Sequence, residues 1–183
     1  MDNKERFLSI CESITRPGIQ DLLAYLSSSD FYYCPASSKF HGAEPGGLLK
    51  HSLCVYDQLK RLIAAYPEIT ATEETIAIIS LFHDLTKVNM YTPEKRNRKN
   101  QNGQWETYDA YAINEKLHYG GHGSKSVFII QNYMRLTTEE AVAINCHMSC
   151  WDGNKDVGAA YEQFNLAWLL HVADEAACYV DKH

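Results

Sequence analysis

The sequence is poor in the features that mark several protein classes. Its six cysteines, Cys11, Cys34, Cys54, Cys146, Cys150 and Cys178, form no CxxC pair and no zinc-ribbon spacing, which excludes the cysteine-rich zinc modules and gives no disulfide framework. A chain of 183 residues buries roughly 70% of its unfolded surface on folding, so it needs no disulfides and buried free thiols are expected. Long apolar runs are missing too. The longest, around Thr75 to Phe82, falls far short of the ~20 residues a bilayer-spanning helix requires. The first ten residues, Met1 to Ile10, lack the basic and apolar regions of a secretory signal. A reducing cytoplasm is the expected setting. Positive charge is also scarce: 17 Lys+Arg against 23 Asp+Glu leave a net charge of −6. That argues against stable binding of duplex nucleic acid, which relies on cationic contacts with phosphates.

What is present reads as helices separated by three loop regions, without repeats or low-complexity segments. Phe7, Ile10, Cys11 and Ile14 recur at helical spacing until Pro17-Gly18 breaks the pattern, and a short helix is expected around Ile19 to Leu26. Residues 1–30 form a helical lead-in. An ordered loop follows, ending in Glu44-Pro45-Gly46-Gly47. From about Leu48 to Tyr66 the apolar positions Leu49, Leu53, Tyr56, Leu59, Ile63 and Tyr66 mark one face of a long helix, stopped by Pro67. Thr70 to Glu73 matches a capping box for a helix running through His83 and Asp84 to about Lys87. This helix is apolar nearly all round and so is expected to be central.

Between Val88 and Asn114 the pattern changes. Aromatic residues flank Asn102-Gly103, a strong signal for a two-residue hairpin turn, so an exposed β-ribbon is expected on the helical body. Helices are expected again through Val127, Ile130 and Met134, and after the capping box of Thr137 to Glu140. The last should run from about Glu162 to Asp181.

The chemistry is concentrated in the eight histidines and the carboxylates near them. His83-Asp84 closes an apolar helix, where burying an imidazole and a carboxylate is costly unless they are paired or bound to a cation. His51 opens the long helix, and Asp174 interrupts the apolar run of the last one. Four such residues from three helices suggest one centre. Two histidines and two carboxylates neutralise a divalent ion and leave positions open for water, as a catalytic site requires. Lys87, one turn beyond His83, could meet a phosphoryl oxygen or only compensate a helix C-terminus. The cations Lys95, Arg96, Arg98 and Lys99 could be a solvated ribbon face, or Arg96 could touch substrate.

The ordered set His51, His83-Asp84 and Asp174 resembles the motif of the HD-domain metal-dependent phosphohydrolases. The segments Phe31 to Ser37, Phe40-His41, Gly46 to Ser52 and His83 to Lys87 are similar to the HD portion of bacterial exoribonucleases acting from the three-prime end, and to compact prophage-type HD proteins. The resemblance spans about Phe31 to Tyr179 and implies an all-α fold, an HD-domain helical bundle with one small β-hairpin insertion, occupying residues 31–183. It implies one or two divalent transition ions (Mn, Fe, Co, Ni or Zn). His51, His83, Asp84 and Asp174 would be ligands, His122 and His147 would hold a second ion, and Asp84 would bridge the two. Catalysis would fall to Asp84 and Lys87, and substrate binding to Lys87, His118 and Arg96. His41 is open between substrate contact and a loop role, and His171 fits a core or supporting role. Two departures are plain. The 30 residues before the match cannot form the extra OB-type domain of the exoribonucleases, and Lys50 replaces the usual acidic residue before the first His.

The expected function is hydrolysis of a nucleotide or short oligonucleotide by a metal-activated water. The rivals are an HD-type di-iron oxygenase and a non-catalytic nucleotide-binding module. The sequence leaves the oligomeric state open.

Overall fold

The computed structural model describes residues 1–117, 120–152 and 155–180. Its helices are α1 (Asn3–Cys11), α2 (Ile19–Ser28), α3 (Gly47–Ala65), α4 (Glu73–Phe82), α5 (His122–Gln131), α6 (Thr138–Cys146), α7 (Val157–Gln163) and α8 (Asn165–Tyr179). Two strands, β1 (Tyr91–Lys99) and β2 (Trp105–Ile113), lie between α4 and α5.

The helix ends follow local chemistry. Asp2 and Thr137 each close a capping box, with Glu5 and Glu140 as the reciprocal acids; each satisfies two amides that would otherwise lack partners. Before α4 the cap is Thr72, whose hydroxyl accepts from the Thr75 amide, not the expected Thr70. That helix also stops sooner than its apolar pattern suggests. It ends at Phe82, and Leu85–Lys87 forms a separate 3-10 turn. The last expected helix is broken as well: Phe164 is extended (φ −132°, ψ 93°) between α7 and α8.

One hydrophobic core joins all of the body. It includes Phe7, Ile14, Leu22 and Leu26 from the lead-in, with Leu59, Ile79, Phe82, Ile144 and Leu170. Phe7 is fully buried and its ring lies 5.1 Å from Phe31 and 6.0 Å from Phe82, tying α1 to α4; burial of such a ring contributes roughly 1.5–3 kcal/mol. Helix α3 packs on α4 and α8, and α8 packs on α6. Among the described residues no helix is long and apolar enough to cross a membrane.

The expectation of an all-α HD-domain bundle is corrected by the ribbon. Strands β1 and β2 pair antiparallel along their full nine-residue lengths, from Tyr91 opposite Ile113 to Lys99 opposite Trp105. The molecule is thus mostly helical with a genuine two-stranded sheet. Aromatic and β-branched residues, cross-strand pairs such as Lys95–Asp109 and Arg98–Glu106, and the Asn114 amide bonded to the Met90 carbonyl at 2.8 Å hold the ribbon as strand rather than helix. The turn differs from the two-residue form too. Asn100 and Gln104 close it, with the Asn100 carbonyl accepting from the Gly103 amide at 2.9 Å and Gly103 at φ +76°. This is a three-residue loop in which glycine supplies the left-handed conformation.

Candidate metal centre

Four helix ends and one helix interior converge at the centre. His51 lies one turn into α3, His83 is the C-cap of α4 and Asp84 follows it at φ −108°. His122 opens α5, His147 is the C-cap of α6, and Asp174 sits inside α8. The end of α4 at Phe82 matters here. Were the helix to continue, His83 and Asp84 would diverge by about 100°; the change of backbone lets both face the same point. The 3-10 turn that follows is fastened to α5 by the Thr86 amide bonding to Ser126 Oγ at 3.0 Å. Helix α5 in turn lies so close to α6 that a Cβ on Gly123 would stand 2.4 Å from the Ile144 carbonyl oxygen, so only glycine permits the approach.

The structure brings the four expected primary ligands together. His51 Nε2 lies 3.0 Å from Asp174 Oδ1, 3.6 Å from Asp84 Oδ2 and 3.3 Å from His83 Nε2. His83 Nε2 lies 3.5 Å from Asp84 Oδ2 and 3.9 Å from Asp174 Oδ1. Donors bound at roughly 2.1 Å to one ion stand about 3.0 Å apart at right angles and about 3.4 Å apart at the tetrahedral angle. The observed spacings are of that size. The other oxygen of Asp84, Oδ1, lies 3.2 Å from His122 Nε2 and 3.6 Å from His147 Nε2, so this carboxylate faces two histidines on each side.

The hydrogen bonds behind the ring nitrogens supply a test of fit that is independent of spacing. His83 Nδ1 donates to the Ser80 carbonyl at 2.8 Å, and His147 Nδ1 donates to the Ile144 carbonyl at 2.7 Å. Because a carbonyl only accepts, each neutral ring presents an unprotonated Nε2 to the centre. Lone pairs therefore confront carboxylate oxygens. His147 Nε2 and Asp84 Oδ1 are buried without hydrogen-bond partners, an arrangement that is costly by itself and that a cation between the groups would resolve. These buried His and Asp groups could hold a metal ion.

The electrostatics agree at His83 and at the two carboxylates, whereas at His147 the carboxylates favour the protonated ring. Burial holds the His83 pKa down at about 4, favouring the neutral, ligating form. Burial alone would raise the Asp84 carboxyl, but Lys87 and His83, with His122 and His147 beside it, hold it well below the usual value. Burial likewise opposes the charge on Asp174, and His51, His83 and His147 outweigh it, again lowering the pKa. Burial would lower His147, yet Asp84 and Asp174 raise it. The two carboxylates are thus ionised in a largely dry site, and their field draws positive charge.

Lys87 lies at the centre, but on a carboxylate: its Nζ is 2.5 Å from Asp84 Oδ2. His171 supports the site from outside, its Nδ1 donating to the His147 carbonyl at 2.7 Å while its ring stacks on Tyr161. The His41 ring lies 5.7 Å from that of His51, and both line a cavity of about 160 Å³ with Arg6, Glu44, Lys50 and Asp57. Lys50 pairs with Glu44 across 3.4 Å. Arg96 is engaged on the ribbon, by Glu94 and by the Tyr111 carbonyl at 3.2 Å. His118 lies outside the described residues.

One neighbour of the centre is not among the expected ligands. Cys178, expected to be a buried thiol, is half-buried one turn beyond Asp174, with Sγ 3.9 Å from Asp174 Oδ1. Burial pushes its pKa up to about 12. The i, i+4 spacing was visible, but it carries meaning only once Asp174 is known to face a ligand.

No protein-family model, curated protein or solved structure matches the chain. The motif resemblance therefore rests on the residues that carry it.

Proposed function

We propose that this protein is a metal-dependent phosphoesterase acting on a nucleotide or short oligonucleotide. The observation that carries the reading is the convergence of His51, His83, Asp84 and Asp174 at ligand spacing, with the unprotonated His83 Nε2 facing carboxylate oxygens. The order of these residues along the chain, which resembles that of the HD phosphohydrolases, supports the choice of chemistry. His51, His83, Asp84 and Asp174 would hold one ion, and His122 and His147 a second one shared through Asp84. Mixed nitrogen and oxygen ligation suits Mn, Fe, Co, Ni or Zn. When bound, such an ion lowers the pKa of a coordinated water from about 16 toward 7 and polarises a phosphoryl oxygen. The chain's own contribution is to keep both carboxylates ionised, to fix the imidazole tautomers through Ser80 and Ile144, and to place the Lys87 ammonium where charge develops on phosphate. The six free cysteines support a reducing, cytoplasmic setting.

The test is elemental analysis of protein purified without chelators, followed by assays against phosphomonoesters, phosphodiesters and dinucleotides with each metal supplied. Bound metal with metal-stimulated hydrolysis is expected. The two-sided position of Asp84 also suits a di-iron oxygenase; iron content with oxygen consumption and no phosphoester cleavage would replace the proposal. Tight nucleotide binding without turnover would make the protein a binding module.

Lys87→Ala is expected to retain metal, because it removes a competing cation and no donor atom. Its hydrolysis should slow by on the order of 10²-fold, the usual effect of losing one preorganised contact to developing charge. Metal content and turnover number measured on the same preparation check this; an unchanged rate would leave Lys87 only the role of balancing Asp84.

A further inference from the structure

We infer that Cys178 is a ligand of the same metal centre, bound as a thiolate when the ion is soft or borderline, such as Zn²⁺ or Co²⁺. The inference rests on the proposed metal site and adds a donor that the His and Asp motif does not contain.

The geometry carries it. His51 Nε2, an Asp174 oxygen and Cys178 Sγ all lie within 4.8 Å of one another, and Sγ is 3.9 Å from Asp174 Oδ1. A sulfur at about 2.3 Å and an oxygen at about 2.0 Å from one ion are roughly 3.5 Å apart at the tetrahedral angle and about 4.3 Å apart when opposed. The observed separation lies between these limits. Asp174 and Cys178 stand at i, i+4 on α8 and so share a face of the helix, the face that carries Asp174 into the centre. A cation at the centre is supported apart from the cysteine: Asp84 Oδ1 and His147 Nε2, on the side of Asp84 that faces His122, are buried without hydrogen-bond partners.

Ligation replaces the weak Sγ–H contact to Asp174 by an Sγ–metal bond, and the thiol proton passes to solvent buffer; no oxidation is involved. The consequence is selectivity. A set that adds thiolate to imidazole and carboxylate favours Zn²⁺ and Co²⁺ over Mn²⁺ and Mg²⁺ more strongly than imidazoles and carboxylates alone, because soft sulfur bonds well to the former and poorly to the latter. Of the six cysteines, Cys178 alone belongs to such a donor group among the described residues.

The test is X-ray absorption spectroscopy of the full-length wild-type protein, stripped with chelator and reloaded with one equivalent of Zn²⁺, together with absorption spectroscopy of the Co²⁺ form. One sulfur scatterer at about 2.3 Å beside nitrogen and oxygen at about 2.0–2.1 Å is expected, with a sulfur-to-cobalt charge-transfer band in the near ultraviolet. Both should vanish in Cys178→Ser and persist in Cys150→Ser. Zinc affinity of Cys178→Ser should fall roughly 10-fold or more, with Mn²⁺ affinity nearly unchanged. Wild-type protein that binds Zn²⁺ through nitrogen and oxygen alone overturns the inference and leaves the metal site standing. Protein that binds neither ion overturns both. The wild-type spectra decide the matter even if the serine variant folds poorly.

Discussion

Asp84→Ala is expected to abolish metal retention and metal-stimulated hydrolysis together. The two oxygens of Asp84 face opposite sides of the centre, with Oδ2 near His51 and His83 and Oδ1 near His122 and His147. Its loss removes a charged donor from each side at once, whereas loss of any single histidine leaves the rest of the set. The substitution also strips Lys87 of its 2.5 Å partner, leaving a largely buried ammonium unpaired, so some loss of stability should accompany it. Asp84→Asn separates the two effects: it keeps the shape and removes the charge. Both variants should contain far less metal than wild type by elemental analysis, with hydrolysis at background, and Asp84→Asn should retain the wild-type far-ultraviolet circular dichroism. Full activity in Asp84→Asn would assign the hydrolysis to another site or to a contaminant. Cys150→Ser, at an exposed position, is the control expected to behave as wild type.

Arg16→Met is expected to give the largest loss of stability, about 3–5 kcal/mol, the usual cost of breaking a buried pair by removing one partner. Glu140 is completely buried. Its carboxylate accepts from both terminal nitrogens of Arg16, with the Nη2 contact at 3.0 Å, from Thr75 Oγ1 at 3.0 Å and from the Thr137 amide at 2.8 Å. Arg16 also reaches Glu74 at 3.3 Å. These contacts join the segment after α1 to the starts of α4 and α6 and involve none of the candidate metal ligands. Burial alone would raise the Glu140 pKa, but Arg16 and the other donors hold it below the ordinary carboxylate value. In wild type this group therefore contributes stability that is present at neutral pH and lost as pH falls through its lowered pKa. In Arg16→Met the burial that Arg16 offset pushes the pKa upward, so protonation relieves the variant as pH falls. The stability gap between the two proteins should accordingly be widest at neutral pH and narrow in acid. Urea unfolding across the acid range measures it; a gap independent of pH would mean that packing of the arginine stem, not its charge, explains the loss.

The chain by itself determined more of the centre than of its surroundings. His51, His83, Asp84 and Asp174 could be picked out because each sits in an apolar helical stretch, where a polar group needs a stated reason to be buried. The Thr137 capping box and the ribbon were readable because their signals lie within a few residues of one another. The pairing of Arg16 with Glu140 was not readable, because the two lie far apart in sequence and the capping box accounts for Glu140 by itself. Only tertiary structure could show that Lys87 rests on Asp84, that Arg96 is spent within the ribbon, and that Cys178 stands beside Asp174. It also decided where helices end: the apolar pattern runs through His83 and through Phe164 without a break, yet the backbone turns at both places. Periodicity records which face of a segment is buried, and a local motif records what neighbours in the chain can do for one another. Which distant groups meet, and where a helix must stop so that they can, depends on how α3, α4, α5, α6 and α8 pack, and that is a property of the assembled core.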